Sequence, residues 1–277
     1  LRDNMLIQGN YNGWHEDESP YKLFADIIAR QGFTQGKIAI DESAPFFVFD
    51  GLRKAAPNFD FSNGADISTP CRQIKSAAEI ALMQRAKDMT ISVHKAAARI
   101  LRPGISTIEV TNFIHEAHKR VGASGSSFCI ALFGLATSFP HGVKDPQILQ
   151  DNDWVLIDTG CLLHGYNSDI TRTYAYGEPT DAQRVAWQVE KDAQAAGFAA
   201  AKLGAPCGAV DDGARAVITE NGYGPDYDLP GLPHRTGHGC GLDIHEWPYL
   251  LRGNQTPLET GMAFSNEPML VIPGKFG

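Results

Sequence analysis

The chain has 277 residues, of which 43% are hydrophobic and 20% are charged, a composition typical of a globular protein with one large core and room for a smaller second one. Its net charge of -8 argues against nucleic acid or an anionic membrane surface as the main partner. Five dispersed cysteines without a CxxC pair favour a reducing, cytoplasmic location, and no apolar run reaches the length of a membrane span.

The first 72 residues have the pattern of a short α/β segment. Gly32 is a typical helix-ending residue and closes the first predicted helix. In chain order, we predict a helix over 21–32, a strand over 37–41, a strand or helix over 46–57, and a turn-rich boundary over 58–70.

Two capping boxes follow this boundary. Ser76 and Glu79 predict the start of a long helix, which continues to about Leu101 before a Pro-Gly pair stops it. The pair Ser106 and Glu109 predicts a second helix that ends at Gly122. Next come a buried strand over 128–134 and two strands, 153–160 and 169–177, which a turn at His164-Gly165 joins.

The helical pattern then recurs about 100 residues along the chain. Thr180 and Gln183 predict a long helix, a Gly/Pro break at 204–207 ends it, and a shorter helix follows over 208–222. This spacing favours an α+β fold of two related halves, with helices on one face of a mostly antiparallel sheet. Coincidence is the alternative, because the two copies share little identity.

Four residues form a candidate metal site. Asp158 and Asp169 lie on two strands joined by a turn, so both carboxylates can reach one mouth of the sheet. His238 lies between glycines in GHGCG, and Glu267 follows an apolar segment in SNEPM. An imidazole with several carboxylates is the ligand set of a hydrolytic metal centre. Singly, each residue could be an ordinary turn, cap or loop residue.

Three further histidines, His141, His234 and His245, suit contact with a substrate, because imidazole donates hydrogen bonds and carries protons near neutral pH. Cys240, inside the histidine motif, is interpreted as a small filler. His94, His115 and His118 fall on predicted helices and are expected to be packed or solvated. No GxSxG, P-loop or HExxH motif is present.

The order Asp, Asp, His, Glu, with PHG upstream and PHRTGHGCGLDIHEWP around the histidine, resembles the metallopeptidase family of aminopeptidase P, prolidase and methionine aminopeptidase. The resemblance implies the creatinase-like pita-bread fold with pseudo-twofold αβ halves. It assigns residues 73–277 to the catalytic domain and 1–72 to the remnant of an N-terminal creatinase-like α/β domain. Such a domain makes a Xaa-Pro peptidase the nearer match.

The resemblance also implies roles for single residues. Asp158, Asp169, His238 and Glu267 match four metal ligands, with Asp169 bridging two divalent ions. Mn²⁺ is favoured, and Zn²⁺ or Co²⁺ are the alternatives. Tyr166 and Thr171 would support Asp169. The family's fifth ligand, a glutamate beyond SNEP, has no counterpart before Gly277, so we expect the chain to be part of a longer, C-terminally incomplete enzyme.

The activity implied is hydrolysis of the bond before proline in a dipeptide or short peptide, through a hydroxide held by the two metals. Glu267 would carry a proton to the leaving nitrogen, and His245 would donate to the oxyanion. His141 would orient the scissile bond, and His234 would line the proline side. The family also implies a homodimer.

The sequence leaves three alternatives to the Xaa-Pro dipeptidase open. A Xaa-Pro aminopeptidase differs in the substrate length that it accepts. A creatinase-like, metal-free C–N hydrolase predicts that the metal ligands are replaced. A binding module with the same fold predicts eroded ligands, and only the missing fifth glutamate supports that reading.

Overall fold

The structure is a computed structural model that describes residues 9–277 of the chain. The chain forms two compact units, with the division between Pro70 and Cys71. Among residues 9–277, no helix is both long and apolar enough to cross a membrane.

The first unit contains a βαβ arrangement. Helix α1, Pro20–Arg30, begins where the Ser19 hydroxyl accepts a hydrogen bond from the Lys22 backbone N–H. Strands β1 (Gly36–Ile40) and β2 (Phe59–Asn63) pair in parallel and are connected through helix α2 (Phe46–Ala55). The ambiguous segment 46–57 is therefore helical, as a parallel pair requires a crossover connection.

The prediction that residues 58–70 consist mainly of turns is wrong. Its first residues form β2, and helix α3, Ala65–Gln73, follows at once. The Asn63 side chain accepts a hydrogen bond from the Ala65 backbone N–H at 2.8 Å, so this asparagine supports a helix start. Asn, Gly and Asp favour turns and helix caps alike, so the local pattern does not distinguish the two.

In the second unit, the two predicted capping boxes are confirmed. Helix α4 spans Ala77–Ile100 and helix α5 spans Thr107–Arg120. At each start, the serine hydroxyl accepts from the backbone of the third residue, and the glutamate carboxylate accepts from the serine backbone. These contacts satisfy backbone donors that a helix start leaves unpaired.

Against these helices lies an antiparallel sheet. Its strands are β3 (Ser126–Phe133), β4 (Trp154–Leu163), β5 (Tyr166–Asn167) and β6 (Ile170–Ala175). β4 pairs with β3 on one side and β6 on the other, so Ile130 and Thr171 are both register partners of Asp158. The predicted turn at His164-Gly165 is confirmed, and both residues have positive φ, 50° and 89°.

The second half repeats this order of elements. Helix α6, Asp181–Ala200, begins with the predicted Thr180–Gln183 capping box, and helix α7 spans Gly208–Glu220. Strands β7 (Gly237–Gly239) and β8 (Glu246–Leu250) form an antiparallel pair. The predicted α+β layout, a long helix and a shorter helix followed by strands in each half, is thus present.

Two main hydrophobic clusters support the sheet. One joins α4 and α5 to β3 and β4 through fully buried aliphatic residues, among them Val93, Ile114 and Ile157. The other joins α6 and α7 to Trp154, Leu232 and Leu270. Each such side chain contributes about 1.5–3 kcal/mol on burial, so the strands that carry the acidic residues have a rigid base.

Candidate metal centre

Strand pairing places the two aspartates side by side. Asp158 is in β4 and Asp169 immediately precedes β6, which pairs with β4. Burial, and then the negative charge of Glu267, raise the pKa of Asp158, while a hydrogen bond with the Thr171 side chain acts in the opposite direction. The two carboxyl groups are close enough that each alters the pKa of the other.

The glycines around His238 allow two segments to approach its strand closely. A Cβ atom on Gly237 would lie 2.1 Å from the backbone oxygen of Ser265, and one on Gly239 would lie 2.5 Å from that of Trp247. Neither distance is physically possible for a side chain. The GHG sequence therefore lets the strand lie between its neighbours, and the flanking glycines have a steric explanation.

The His238 ring is held at one nitrogen and faces acids with the other. Nδ1 lies 3.0 Å from the Gly239 carbonyl oxygen. Nε2 lies 2.9 Å from Glu267 Oε1 and 3.5 Å from Asp169 Oδ2. Because a carbonyl can only accept, Nδ1 carries the proton, which leaves the lone pair of a neutral imidazole at Nε2 for a metal.

Asp169, His238 and Glu267 each offer one ligand atom, and these three atoms lie within 4.8 Å of one another. Burial, and then the charges of Asp158 and Glu267, raise the pKa of Asp169. Asp158 Oδ1 is buried without a hydrogen-bond partner in the described chain. Acids that repel one another, an orphaned carboxylate oxygen and mixed N/O donors all fit a divalent cation.

The three other predicted site histidines lie around these residues. The His245 ring stands 4.1 Å from the His238 ring, centroid to centroid. His234 Nδ1 lies 2.7 Å from the Arg235 carbonyl oxygen. Burial lowers the pKa of His234 and of His245, and the nearby His141 lowers both further. All three therefore share one electrostatic environment.

Ser265 and Arg235 belong to the same region, although the sequence reading did not single them out. The Ser265 hydroxyl donates to Glu267 Oε1 at 2.9 Å and accepts from the His238 backbone N–H at 3.0 Å. The Arg235 guanidinium lies 4.9 Å from the Tyr249 ring centroid, and its Nε is buried without a hydrogen-bond partner in the described chain. The sequence indicates these two residues only by their position: Ser265 is close to Glu267, and Arg235 follows His234 directly.

Two other residues of the motifs have structural contacts. The Tyr166 hydroxyl donates to Glu79 Oε1 at 2.6 Å, so it supports the start of α4. Burial raises the pKa of Cys240 to about 12. A thiol that stays protonated is a poor nucleophile, which agrees with the interpretation of Cys240 as a filler.

Comparison with known proteins places this geometry in a family. The sequence matches Metallopeptidase family M24 over residues 81–277. A Xaa-Pro dipeptidase of Lactobacillus delbrueckii is 33% identical over 97% of this chain and 73% of its own length.

Solved structures give the same result. Prolidase from Thermococcus sibiricus superposes with a TM-score of 0.88 at 32% identity, over 99% of this chain and 75% of that one. A dipeptidase from Pyrococcus horikoshii superposes with a TM-score of 0.89 at 29% identity, over 99% of this chain and 76% of that one.

The chain belongs to Metallopeptidase family M24 and has the pita-bread fold of the prolidases. It is therefore an enzyme of the metallopeptidase class, and divalent metal ions are the cofactor that the family implies.

Proposed function

We propose that this enzyme is a metal-dependent Xaa-Pro dipeptidase, which hydrolyses the peptide bond before a C-terminal proline. One observation carries the proposal: ligand atoms of Asp169, His238 and Glu267, from separate segments, converge within 4.8 Å. The relatives named Xaa-Pro dipeptidase and prolidase supply the substrate class.

The metal would be held by Asp158, Asp169, His238 and Glu267. We propose that these four side chains would hold two divalent ions, and the predominance of oxygen donors favours Mn²⁺ over Zn²⁺ or Co²⁺. When bound, such ions polarise the scissile carbonyl and lower the pKa of water.

The side chains around the ligands have distinct tasks in this proposal. Glu267 would take a proton from the attacking water and pass it to the leaving proline nitrogen. His245 would donate a hydrogen bond to the oxyanion that forms on the carbonyl oxygen, and His141 would orient the scissile bond. His234 would line the proline side.

A dipeptide substrate also presents a carboxylate close to the scissile bond. Arg235 is a cation that acts electrostatically on both His234 and His245. Its guanidinium stacks on Tyr249, and its Nε has no hydrogen-bond partner in the described chain. We propose that it binds this carboxylate, because the planar fork of arginine matches a carboxylate group. That contact would favour a dipeptidase over an aminopeptidase.

Three further assignments belong to the same proposal. Residues 73–277 would form the catalytic domain and 1–72 part of an N-terminal creatinase-like domain. The enzyme would act as a homodimer in the cytoplasm.

Release of free proline from Ala-Pro in Mn²⁺, compared with Ala-Pro-amide and Ala-Pro-Ala, tests the proposal. We expect hydrolysis of Ala-Pro that chelation abolishes, and at least about a tenfold lower kcat/KM for the two substrates without a free prolyl carboxylate, as expected for one lost charged contact. Equal rates on all three substrates would indicate an aminopeptidase. Chelator-insensitive C–N hydrolysis would indicate the creatinase-like alternative, and substrate binding without turnover would indicate a binding module.

A further inference from the structure

Four charged side chains form a cluster beside the turn that carries His245. We call Arg72, Lys75, Asp243 and Glu246 the Glu246 ion cluster. Arg72 Nη2 lies 2.6 Å from both Asp243 Oδ2 and Glu246 Oε2. Lys75 Nζ lies 2.8 Å from Glu246 Oε1. Two cations therefore face two anions, and the cluster has no net charge.

The centre of the cluster is buried. The Lys75 side chain is 1% exposed and that of Glu246 is 8% exposed. The Lys75 ammonium forms an ion pair with Glu246, but the two groups are not aligned for a hydrogen bond. No other acceptor in the described chain bonds to this ammonium. An ion pair of this kind gains little over well-packed apolar side chains. Stability alone therefore does not explain why charged side chains lie here. A role in holding the neighbouring turn in one geometry does explain them.

Glu246 fixes the end of the His245 turn. It is the first residue of β8 and pairs with Gly239, next to an irregularity of register at His238. One of its carboxylate oxygens also accepts from the Asp243 backbone N–H at 3.3 Å. Glu246 thus fixes the chain on both sides of His245. Its carboxylate binds Asp243 before the histidine, and its own backbone, after the histidine, pairs with Gly239.

The opposite side of the turn is held by β5. The Asn167 backbone N–H donates to the Gly241 carbonyl oxygen, and its side-chain amide donates to the carbonyl oxygens of Gly241 and Leu242. A Cβ on Gly241 would lie 2.4 Å from Glu246 Oε1, so the cluster packs directly against the turn. The turn is consequently clamped between Asn167 and Glu246.

The orientation of the His245 ring depends on this clamp. In the described chain, the ring contact with His238 is its one specific side-chain interaction, at 4.1 Å between centroids. A ring without hydrogen bonds is placed by its backbone and by its packing. Any movement of the turn would therefore change where the imidazole points.

We propose that Glu246, held by Lys75 and Arg72, is a positioning residue that fixes the His245 imidazole against His238. The inference rests on the proposed function, in which His245 donates to the oxyanion. Glu246 itself touches neither substrate nor metal in this proposal. It acts through the shape of the turn.

A double-mutant cycle between Glu246→Gln and His245→Ala tests the proposal, with kcat and KM for Ala-Pro, bound Mn²⁺ and the Tm measured for each variant. We expect E246Q to lower kcat about tenfold or more with little change in KM or bound metal, a typical coupling between contacting residues. In the H245A background, the same change should alter kcat less than about twofold, because its target is gone.

The exposed pair Glu116–Lys119 provides a matched control, since its atoms also lie 2.8 Å apart. E116Q should leave every measured quantity unchanged. The neutral pair K75M/E246Q separates positioning from stability: we expect its Tm to recover toward that of the parent while kcat stays low.

The outcomes separate this inference from the proposed function. If kcat recovers together with Tm in K75M/E246Q, or if E246Q is equally damaging with and without His245, the positioning role is overturned. If H245A alone has parental kcat, the proposed role of His245 in catalysis fails first.

Discussion

The imidazole of His245 stands at 80° to that of His238, with 4.1 Å between the ring centroids. His238 faces two carboxylates through Nε2, so His245 lies one ring away from the place where a metal fits. The six residues between them, 239–244, include most of the turn that returns from β7 to β8. This turn brings a donor beside the metal site without making it a ligand.

Replacing His245 by alanine should lower kcat about 100-fold or more, the usual loss for one oxyanion donor. The KM for Ala-Pro and the content of bound metal should change little, since the ring is not among the converging ligand atoms. Steady-state kinetics with metal analysis of the same samples measures both. A variant that loses its metal would place His245 among the ligands instead.

Much of the candidate site was predictable because each of its residues lies in a short, recognisable sequence motif. His238 lies between glycines that let neighbouring segments approach its strand closely, and the structure brings it together with Asp158, Asp169 and Glu267. Their role as ligands stays a prediction. The contact between Lys75 and Glu246 could not be predicted, because it joins segments 171 residues apart whose meeting depends on the whole fold.

The fold, too, has features that the local sequence predicts and features that depend on distant contacts. The helix starts at Ser76, Ser106 and Thr180 could be predicted, because a capping box involves only four consecutive residues. Strand Phe59–Asn63 was missed, because its partner Gly36–Ile40 lies across a helix and tertiary pairing outweighed its turn-forming residues.

Asp169→Asn should make the metal-free protein more stable at neutral pH. Burial and the charges of Asp158 and Glu267 raise the pKa of Asp169. For an aspartate raised in this way, stability is present at acidic pH and is lost as the pH rises through the folded pKa. The amide removes that loss, and Tm in chelator should rise.

The same variant should lose its stabilisation by metal. In the parent, Mn²⁺ at about 100 times its Kd adds about 2.7 kcal/mol to the free energy of unfolding. Thermal unfolding with Mn²⁺ and with chelator measures this difference, with the exposed Asp192→Asn as control. A D169N protein with a parental metal-induced shift would contradict a ligand role for Asp169.

His118 should make stability fall in acid. Its ring is fully buried between the Thr90 and Ser126 hydroxyls, and burial lowers its pKa to about 4. The unfolded state, with a histidine pKa of about 6.5, binds the proton first. His118 therefore contributes stability that is present above about pH 6.5 and is lost as the pH falls toward the folded pKa.

Urea unfolding of His118→Gln across this pH range measures the effect. The slope of the unfolding free energy against pH should decrease by up to about 1.4 kcal/mol per pH unit. His15→Gln, at an exposed position, serves as the control. An unchanged slope in H118Q would assign the acid sensitivity to other groups.

Asp211→Ala should destabilise the second unit by about 3–5 kcal/mol, since it leaves a buried arginine unpaired. The Asp211 carboxylate is fully buried and accepts from Arg215 Nε at 2.7 Å and from the Thr236 backbone N–H at 2.9 Å. Chemical denaturation checks the value, and the exposed Asp192→Ala should change it by less than about 0.5 kcal/mol. A small effect in D211A would mean that water reaches Arg215.

Gly237→Ala should weaken metal binding. The new Cβ would lie 2.1 Å from the Ser265 backbone oxygen and must push away the segment that ends in Glu267. Since Glu267 and His238 then separate, we expect a loss of about 10–100-fold in metal affinity, the range for a disturbed ligand support. Calorimetric titration with Mn²⁺ measures this loss of affinity.

The control is Gly13→Ala, where a Cβ meets nothing within 4 Å, and this variant should bind metal as the parent does. Equal affinities for G237A and G13A would show that the close approach of the two segments does not hold the ligands together.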